Sequence, residues 1–300
     1  MSLRDRFRGL MLGLAVGDAL GRPVEGHPQV SQTYIDEIRT DPRSMIYTDD
    51  TVMAIWLAES LLAVDGFDGA DMSMRFAEGY QRDPHRGYGA NVIDVFSRVL
   101  RGFDWRETAR SQFGGTGSYG NGAAMRVAPV ALFAYPDVDA TVRLARQSAE
   151  VTHTHPVGVE GAVIQAVAAS HALREDFDSD VLLGVLEDVV ETEIFKSKLD
   201  TLPKAIGMAD DDFARLHLGN GVSAGNSVVT ALYCFLASDG FEETVIRAVR
   251  MGGDTDTIAA MAGALAGALY GGSAIPEVWR GVEGGERLVE LADQIFEGVG

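Results

Sequence analysis

Along almost the whole chain, apolar residues return every three or four positions, the period of a helix, and nowhere do they alternate with polar ones as a half-buried strand requires. The run TVMAIWLAESLLAV over 51–64 brings Val52, Ile55, Trp56, Leu61 and Leu62 near one stripe, and comparable runs span 92–100, 125–133, 159–168, 228–236 and 258–269. Glycine punctuates them. The densest groups among the 35 glycines are GYGA (87–90), GGTGSYGNG (114–122), LGNG (218–221) and GGD (252–254), which read as loops joining helices. The pattern predicts an all-α fold of many helices, each of about three turns. No linker, composition shift or internal repeat divides the sequence, so one compact domain over 1–300 is expected.

Charge narrows the function. The chain carries 25 Lys+Arg against 44 Asp+Glu, a formal net charge of −19. Such a surface repels nucleic-acid backbones and anionic lipid, so neither is an expected partner. A small anionic ligand needs a local attraction instead, and a bound cation is the simplest. Cys234 is the only cysteine, which rules out an intrachain disulfide and a zinc ribbon and fits a reducing cytoplasm. The apolar stretch from Leu10 to Val16 runs straight into Asp18 without a small-residue cleavage pattern, so it reads as a buried first helix rather than a signal peptide. No window reaches the roughly 18 apolar residues of a membrane span. With no exposed heptad in view, a monomer is expected.

Two helix starts are acidic. Thr48, Asp49 and Asp50 precede one strongly helical run, and Asp254, Thr255, Asp256 and Thr257 precede another. Capping explains either alone, because hydroxyls and carboxylates accept from orphan N–H groups at the positive end of the helix dipole. Together they admit a second reading. Residues two apart do not share a helix face, so Asp254 and Asp256 can address one target only if the backbone there is still unwound, as Gly252 and Gly253 permit. If the two starts converge, their carboxylates repel one another and stay partly protonated unless a cation intervenes. Oxygen donors without cysteine or histidine select a hard ion, Mg2+ or Mn2+, over zinc.

The loop GGTGSYGNG leads into a helix, where close backbone amides and a helix start favour an anion such as a diphosphate. Phe113 and Tyr119 flank it, and aromatic faces beside a phosphate cradle suit a nucleobase. The same residues also fit a purely structural loop with its aromatics packed inward. No GK[ST] follows, so it is not a Walker loop. His153 and His155, in THTHPVGVEG, are either loop histidines with satisfied hydrogen bonds or, for His153, a contact to a polar ligand. Glu25 follows the first helix across a break made by Gly21 and Pro23 and, taken alone, reads as a solvated loop acid.

These segments stop being independent when read in order. GDALGRPVEG, TDDTVMA, SYGNGAAMR, THTHPVGVEGA and MGGDTDTIAAMAGALAGALYG resemble the successive motifs of the ADP-ribosylglycohydrolase family, over about Leu10 to Ile295. SYGNGAAMR, QFGGTG, RGYGANVIDVF and the LGNGVSAGNSVVTALYCFLA segment look closest to its ADP-ribosylhydrolase 3-like branch. The resemblance implies an orthogonal helical bundle. It implies hydrolysis of the glycosidic bond at ribose C1 of serine-linked ADP-ribose, poly(ADP-ribose) or O-acetyl-ADP-ribose. ADP-ribosylated proteins and ADP-ribose-containing small molecules would then be the partners. The arginine-specific branch places an aspartate before the GNG and a further acid where Gly89 to Asn91 stand, so Tyr119 and the neutral GYGAN argue against a guanidinium pocket.

Carried over by position, the resemblance makes Thr48, Asp49, Asp50, Asp254, Asp256 and Thr257 the ligands of two Mg2+ ions, with Mn2+ as the other candidate. It makes Glu25 the mobile catalytic acid or base. Gly117, Ser118, Tyr119, Gly120 and Asn121 would cradle the diphosphate and distal ribose, Phe113 and Tyr119 would hold the adenine between their rings, and His153 would touch the phosphate-ribose portion. SAGNS (223–227) departs from the family pattern on the adenosine side. Rival readings are an arginine-linked hydrolase, a non-catalytic ADP-ribose-binding relative, and a two-metal phosphoesterase cutting the diphosphate.

Overall fold

The structure is a computed structural model that describes residues 1–42 and 44–299. All regular structure among them is helical, apart from one isolated backbone bridge between Gly120 and Ser223. None of these helices is long and apolar enough to cross a membrane.

The centre of the fold is an antiparallel helix pair, Leu3–Gly21 against Thr255–Tyr270, built on small residues four apart. Gly9, Gly13, Gly17 and Gly21 face Gly267, Gly263, Ala259 and Thr255 so closely that a methyl group on them would sit 2.2, 2.2, 1.9 and 2.4 Å from the opposing carbonyl oxygens. The backbones are therefore in direct contact, with no room for an intervening side chain. The Thr255 hydroxyl donates to the Gly21 carbonyl at 2.8 Å and closes the seam at one end. That end matters, because the chain leaves Gly21 towards Glu25 and enters the other helix from Asp254 and Asp256. Overpacking of a tight core contact costs typically up to about 3 kcal/mol, so Gly17→Ala is expected to destabilise the fold by about that much. Gly281→Ala, with no atom within 4 Å of the new methyl group, should be nearly neutral. Urea unfolding midpoints for the pair measure the difference.

Around the seam, Asp49–Val64, Pro156–Ala172 and Ala224–Leu236 are buried on nearly every side. Val52 to Ala58 are buried without a break, so the stripe read at 51–64 is one part of a helix enclosed all round. The run at 125–133 is not one helix. It divides into Gly122–Met125 and Ala128–Phe133, with Arg126 and Val127 between them. Pro129 has no N–H to give the Met125 carbonyl and sits instead in the first turn of the second piece, where none is needed.

Candidate active site

One pocket, about 440 Å³, collects nearly all the residues singled out above: Glu25, Asp49, Asp50, Phe113, Ser118, Tyr119, Gly120, Asn121, His153, Asp254, Asp256 and Thr257. A larger cleft of about 620 Å³ lies between Leu12, Val16 and the 272–289 segment, but among the described residues Arg280 and Glu286 are its only charged lining. Chemistry, not volume, picks the first. Thr48 and Gly117 are not among the lining residues, though each directly precedes one that is, Asp49 and Ser118. The Thr48 hydroxyl accepts from the Asp50 N–H at 3.3 Å, and Gly117 is packed so tightly on Thr154 that a methyl group there would lie 2.2 Å from Oγ1.

Capping and convergence divide between the residues of the two acidic helix starts. Thr48 caps its helix, whereas Asp254, at φ −84° and ψ 65°, makes no side-chain cap. Gly252 and Gly253, at φ +66° and +69°, supply the unwound approach. Carboxylate oxygens of Glu25, Asp254 and Asp256 consequently lie within 4.8 Å of one another. From the other helix start, Asp50 Oδ1 accepts from the Thr257 hydroxyl at 3.4 Å, while Asp50 Oδ2 is buried with no hydrogen-bond partner among the described residues. Burial, then the Asp18 charge, pushes Asp49 up to about 7. Burial, then Asp254 and Glu25, pushes Asp256 up to about 9. Burial with Asp18 and Asp256 raises Asp50 far above the usual carboxylate range, and burial with Glu25 raises Asp254. An oxygen-only cluster that repels itself and leaves a buried oxygen unsatisfied fits a hard divalent cation.

The Glu25 segment is tied to this loop by backbone. Gly26 N–H donates to the Gly253 carbonyl at 2.7 Å, and Gly253 N–H donates to the His27 carbonyl at 2.8 Å. Glu25 itself is exposed at the pocket rim.

Asp18 was missed as a site residue. Fully buried, it takes the Thr48 N–H at 2.9 and 3.0 Å, the Thr51 N–H at 3.1 Å and the Thr51 hydroxyl at 2.6 Å, and so fixes the start of the Asp49–Val64 helix. Burial lifts it to about 6 against those hydrogen bonds. The signal was available: an aspartate directly after an apolar helical run is either misplaced or buried for a purpose. Asn121 has a second role that the sequence did not show. Both protons of its side-chain amide are engaged, by Ser227 Oγ at 3.0 Å and Asp254 Oδ2 at 2.5 Å. Its side chain therefore orients Asp254 and offers a ligand only its carbonyl oxygen.

Beside the acids, Phe113 and Tyr119 are about half exposed. Phe113 occupies the left-handed region at φ +52°, held in the turn of the glycine loop. Their rings touch, centroids 5.8 Å apart at 36°, so no slot for a base stands open between them, contrary to the sandwich expected from the sequence. A base could be held only on an outer face or by parting the rings. His155 caps the Pro156–Ala172 helix through Nδ1, 3.2 Å from the Val157 N–H, and supports Tyr119 edge-on. His153 instead reaches the pocket.

The pocket is lined from the N-terminal ends of Asp49–Val64, Ala90–Leu100 and Thr255–Tyr270. Their dipoles place positive potential there, which offsets the chain's negative charge locally and suits an anionic ligand.

The sequence profile of the ADP-ribosylglycohydrolase family matches residues 1–300. The chain belongs to this family. ADP-ribosylglycohydrolase relatives include ADP-ribosylhydrolase ARH3 of Homo sapiens, 38% identical over 342 residues, covering 98% of this chain and 94% of the relative. The ADP-ribosylarginine hydrolase Tri1 of Pseudomonas putida is 26% identical, covering 98% of this chain and 78% of the relative. A solved ADP-ribosylglycohydrolase-related protein complex contains a chain with the same fold, at a TM-score of 0.79 and 30% identity over 98% of both chains.

Proposed function

We propose that this chain is a Mg2+-dependent hydrolase of O-linked ADP-ribose, cleaving the bond between ribose C1 and a serine oxygen, as a single catalytic domain acting as a monomer on ADP-ribosylated proteins or smaller ADP-ribose conjugates. The observation that carries this is the meeting of Glu25 with Asp254 and Asp256 in a pocket. The neutral lining at Gly87, Gly89 and Asn91 supports a neutral oxygen leaving group over a guanidinium.

Thr48, Asp49, Asp50, Asp254, Asp256 and Thr257 would hold two Mg2+ ions, or Mn2+ of the same hard class. When bound, such ions neutralise the carboxylates and orient sugar hydroxyls as Lewis acids. The remaining work falls to the chain. Ser118, Tyr119 and Gly120 cradle the diphosphate on the glycine loop, with Gly117 setting the loop against Thr154. Phe113 or Tyr119 offers a ring face to adenine. Glu25 transfers the proton: as the C1–O bond breaks and a water oxygen bonds to C1, one proton leaves that water and one reaches the serine oxygen, with Glu25 giving or taking it. Its exposed position keeps water at hand.

The test is an incubation with serine-linked and arginine-linked ADP-ribosyl peptides, with Mg2+ or with EDTA. Free ADP-ribose is expected from the serine-linked peptide with Mg2+ and none with EDTA. Release from the arginine peptide alone would move the chain to the other branch. AMP as product would indicate diphosphate cleavage, and binding without release would indicate a non-catalytic reader.

A further inference from the structure

Behind the glycine loop, His153 is backed by buried polar residues, Arg126 and Thr152, to which the chemistry above assigns no work. Arg126, essentially inaccessible, donates through Nη2 to the Thr152 hydroxyl at 2.7 Å and to the Ser148 carbonyl at 3.1 Å, and through Nη1 to the Gly122 carbonyl at 3.0 Å. Its guanidinium lies over the Phe76 ring, 4.8 Å from the centroid. The Thr152 hydroxyl lies 2.7 Å from Nδ1 of His153. Gln112 fixes the same residue from the other side, its side-chain amide donating to the Thr152 carbonyl at 2.5 Å.

Direction in this chain follows from what each group can do. A guanidinium only donates, so Thr152 Oγ1 accepts from Arg126. The hydroxyl hydrogen then needs an acceptor, and the single one within reach among the described residues is His153 Nδ1. A nitrogen that accepts carries no proton, so the proton of the neutral imidazole resides on Nε2. Burial and the Arg126 charge push His153 down to about 3, which keeps the ring neutral.

Nε2 has no partner among the described residues, and it faces the glycine loop. A methyl group on Gly122 would lie 3.1 Å from Nε2 and one on Gly120 3.4 Å from it. Side chains at these positions would crowd that ring edge, and glycine leaves it open to the pocket.

We infer that Arg126 and Thr152 are positioning residues that lock His153 in the Nε2–H tautomer, so that it presents a fixed neutral N–H donor to an acceptor oxygen of the ligand, the diphosphate of an ADP-ribose conjugate. The ligand assignment rests on the function proposed above. The tautomer does not.

The experiment separates the two. Long-range proton–nitrogen NMR correlations on the histidine-labelled, Mg2+-loaded full chain, assigned with His153→Asn, report which ring nitrogen is protonated before any ligand is added. Nε2 protonated and Nδ1 bare is the expected spectrum; Nδ1 protonated overturns the inference. ADP-ribose binding by calorimetry follows. Thr152→Val keeps the shape, removes the donor to Nδ1 and leaves Arg126 its Ser148 partner. It should release the tautomer and weaken binding about tenfold or more, the range for a hydrogen bond to a charged group. Thr152→Ser should restore both. Wild-type affinity in folded Thr152→Val, or a serine variant as impaired as the valine one, would overturn the proposal. Should the valine variant fail to fold, the wild-type spectrum and the serine variant decide. Wild-type protein that binds no ADP-ribose would sink the proposed function while the spectrum still judged the tautomer.

Discussion

Glu25→Gln is expected to lower kcat on a serine-linked ADP-ribosyl peptide by about 10²–10⁴-fold, the range lost with a general acid or base, with ADP-ribose affinity within a few-fold of wild type. Glutamine keeps the size and polarity of the side chain but can neither supply nor remove a proton. The segment that carries it is held by backbone bonds between Gly26, His27 and Gly253, which the substitution does not touch, so a structural loss is not expected to mimic a chemical one. Steady-state kinetics and calorimetry on the same preparation separate turnover from binding. Unchanged kcat would remove Glu25 from the chemistry.

Asp256→Asn should lower turnover and flatten the pH dependence of metal-free stability. A carboxyl whose folded pKa lies above its unfolded value of about 3.9 stabilises the fold fully below that value and loses the contribution as pH rises through the folded one. Asp18 at about 6, Asp49 at about 7 and Asp256 at about 9 are all of this kind. EDTA-treated protein should therefore lose stability steadily from about pH 4 to 9. Mg2+ binds only the ionised form, so its stabilising effect should grow over the same range. Asp256→Asn removes one of these charges. Its metal-free Tm should fall less steeply with pH, its response to Mg2+ should shrink, and turnover should drop about 10²–10³-fold, as preorganised electrostatic stabilisation is lost. A variant that kept both the Mg2+ response and wild-type turnover would refute a shared metal centre.

The helical character and the acidic helix starts were legible because each is written locally, in the period of 51–64 or the adjacency of Asp254 to Gly253. The helix break after Met125 was missed because the apolar period continues through it, although Pro129 marked it. Asp18 and Asn121 were harder. Their partners, Thr48 and Thr51 for one and Asp254 for the other, are 30, 33 and 133 positions away, and no local pattern encodes such a pairing. The Phe113–Tyr119 contact was missed for a related reason: proximity to a loop fixes which rings are near a ligand, not the gap between them. Gly9, Gly13, Gly17 and Gly21 were visible as glycines spaced by four, but only the opposing helix gives that spacing its meaning.

That interlocked glycine seam sets how far the catalytic machinery can drift. One residue of slip between the two helices is about 1.5 Å, and the same two faces come back into register only after four residues, about 6 Å. Intermediate offsets drive a side chain into a carbonyl. The separation between Gly21, from which the chain reaches Glu25, and the acids at the head of the facing helix is thus quantised by peptide geometry, like a ratchet with coarse teeth. Changes elsewhere on the surface can accumulate without detuning it.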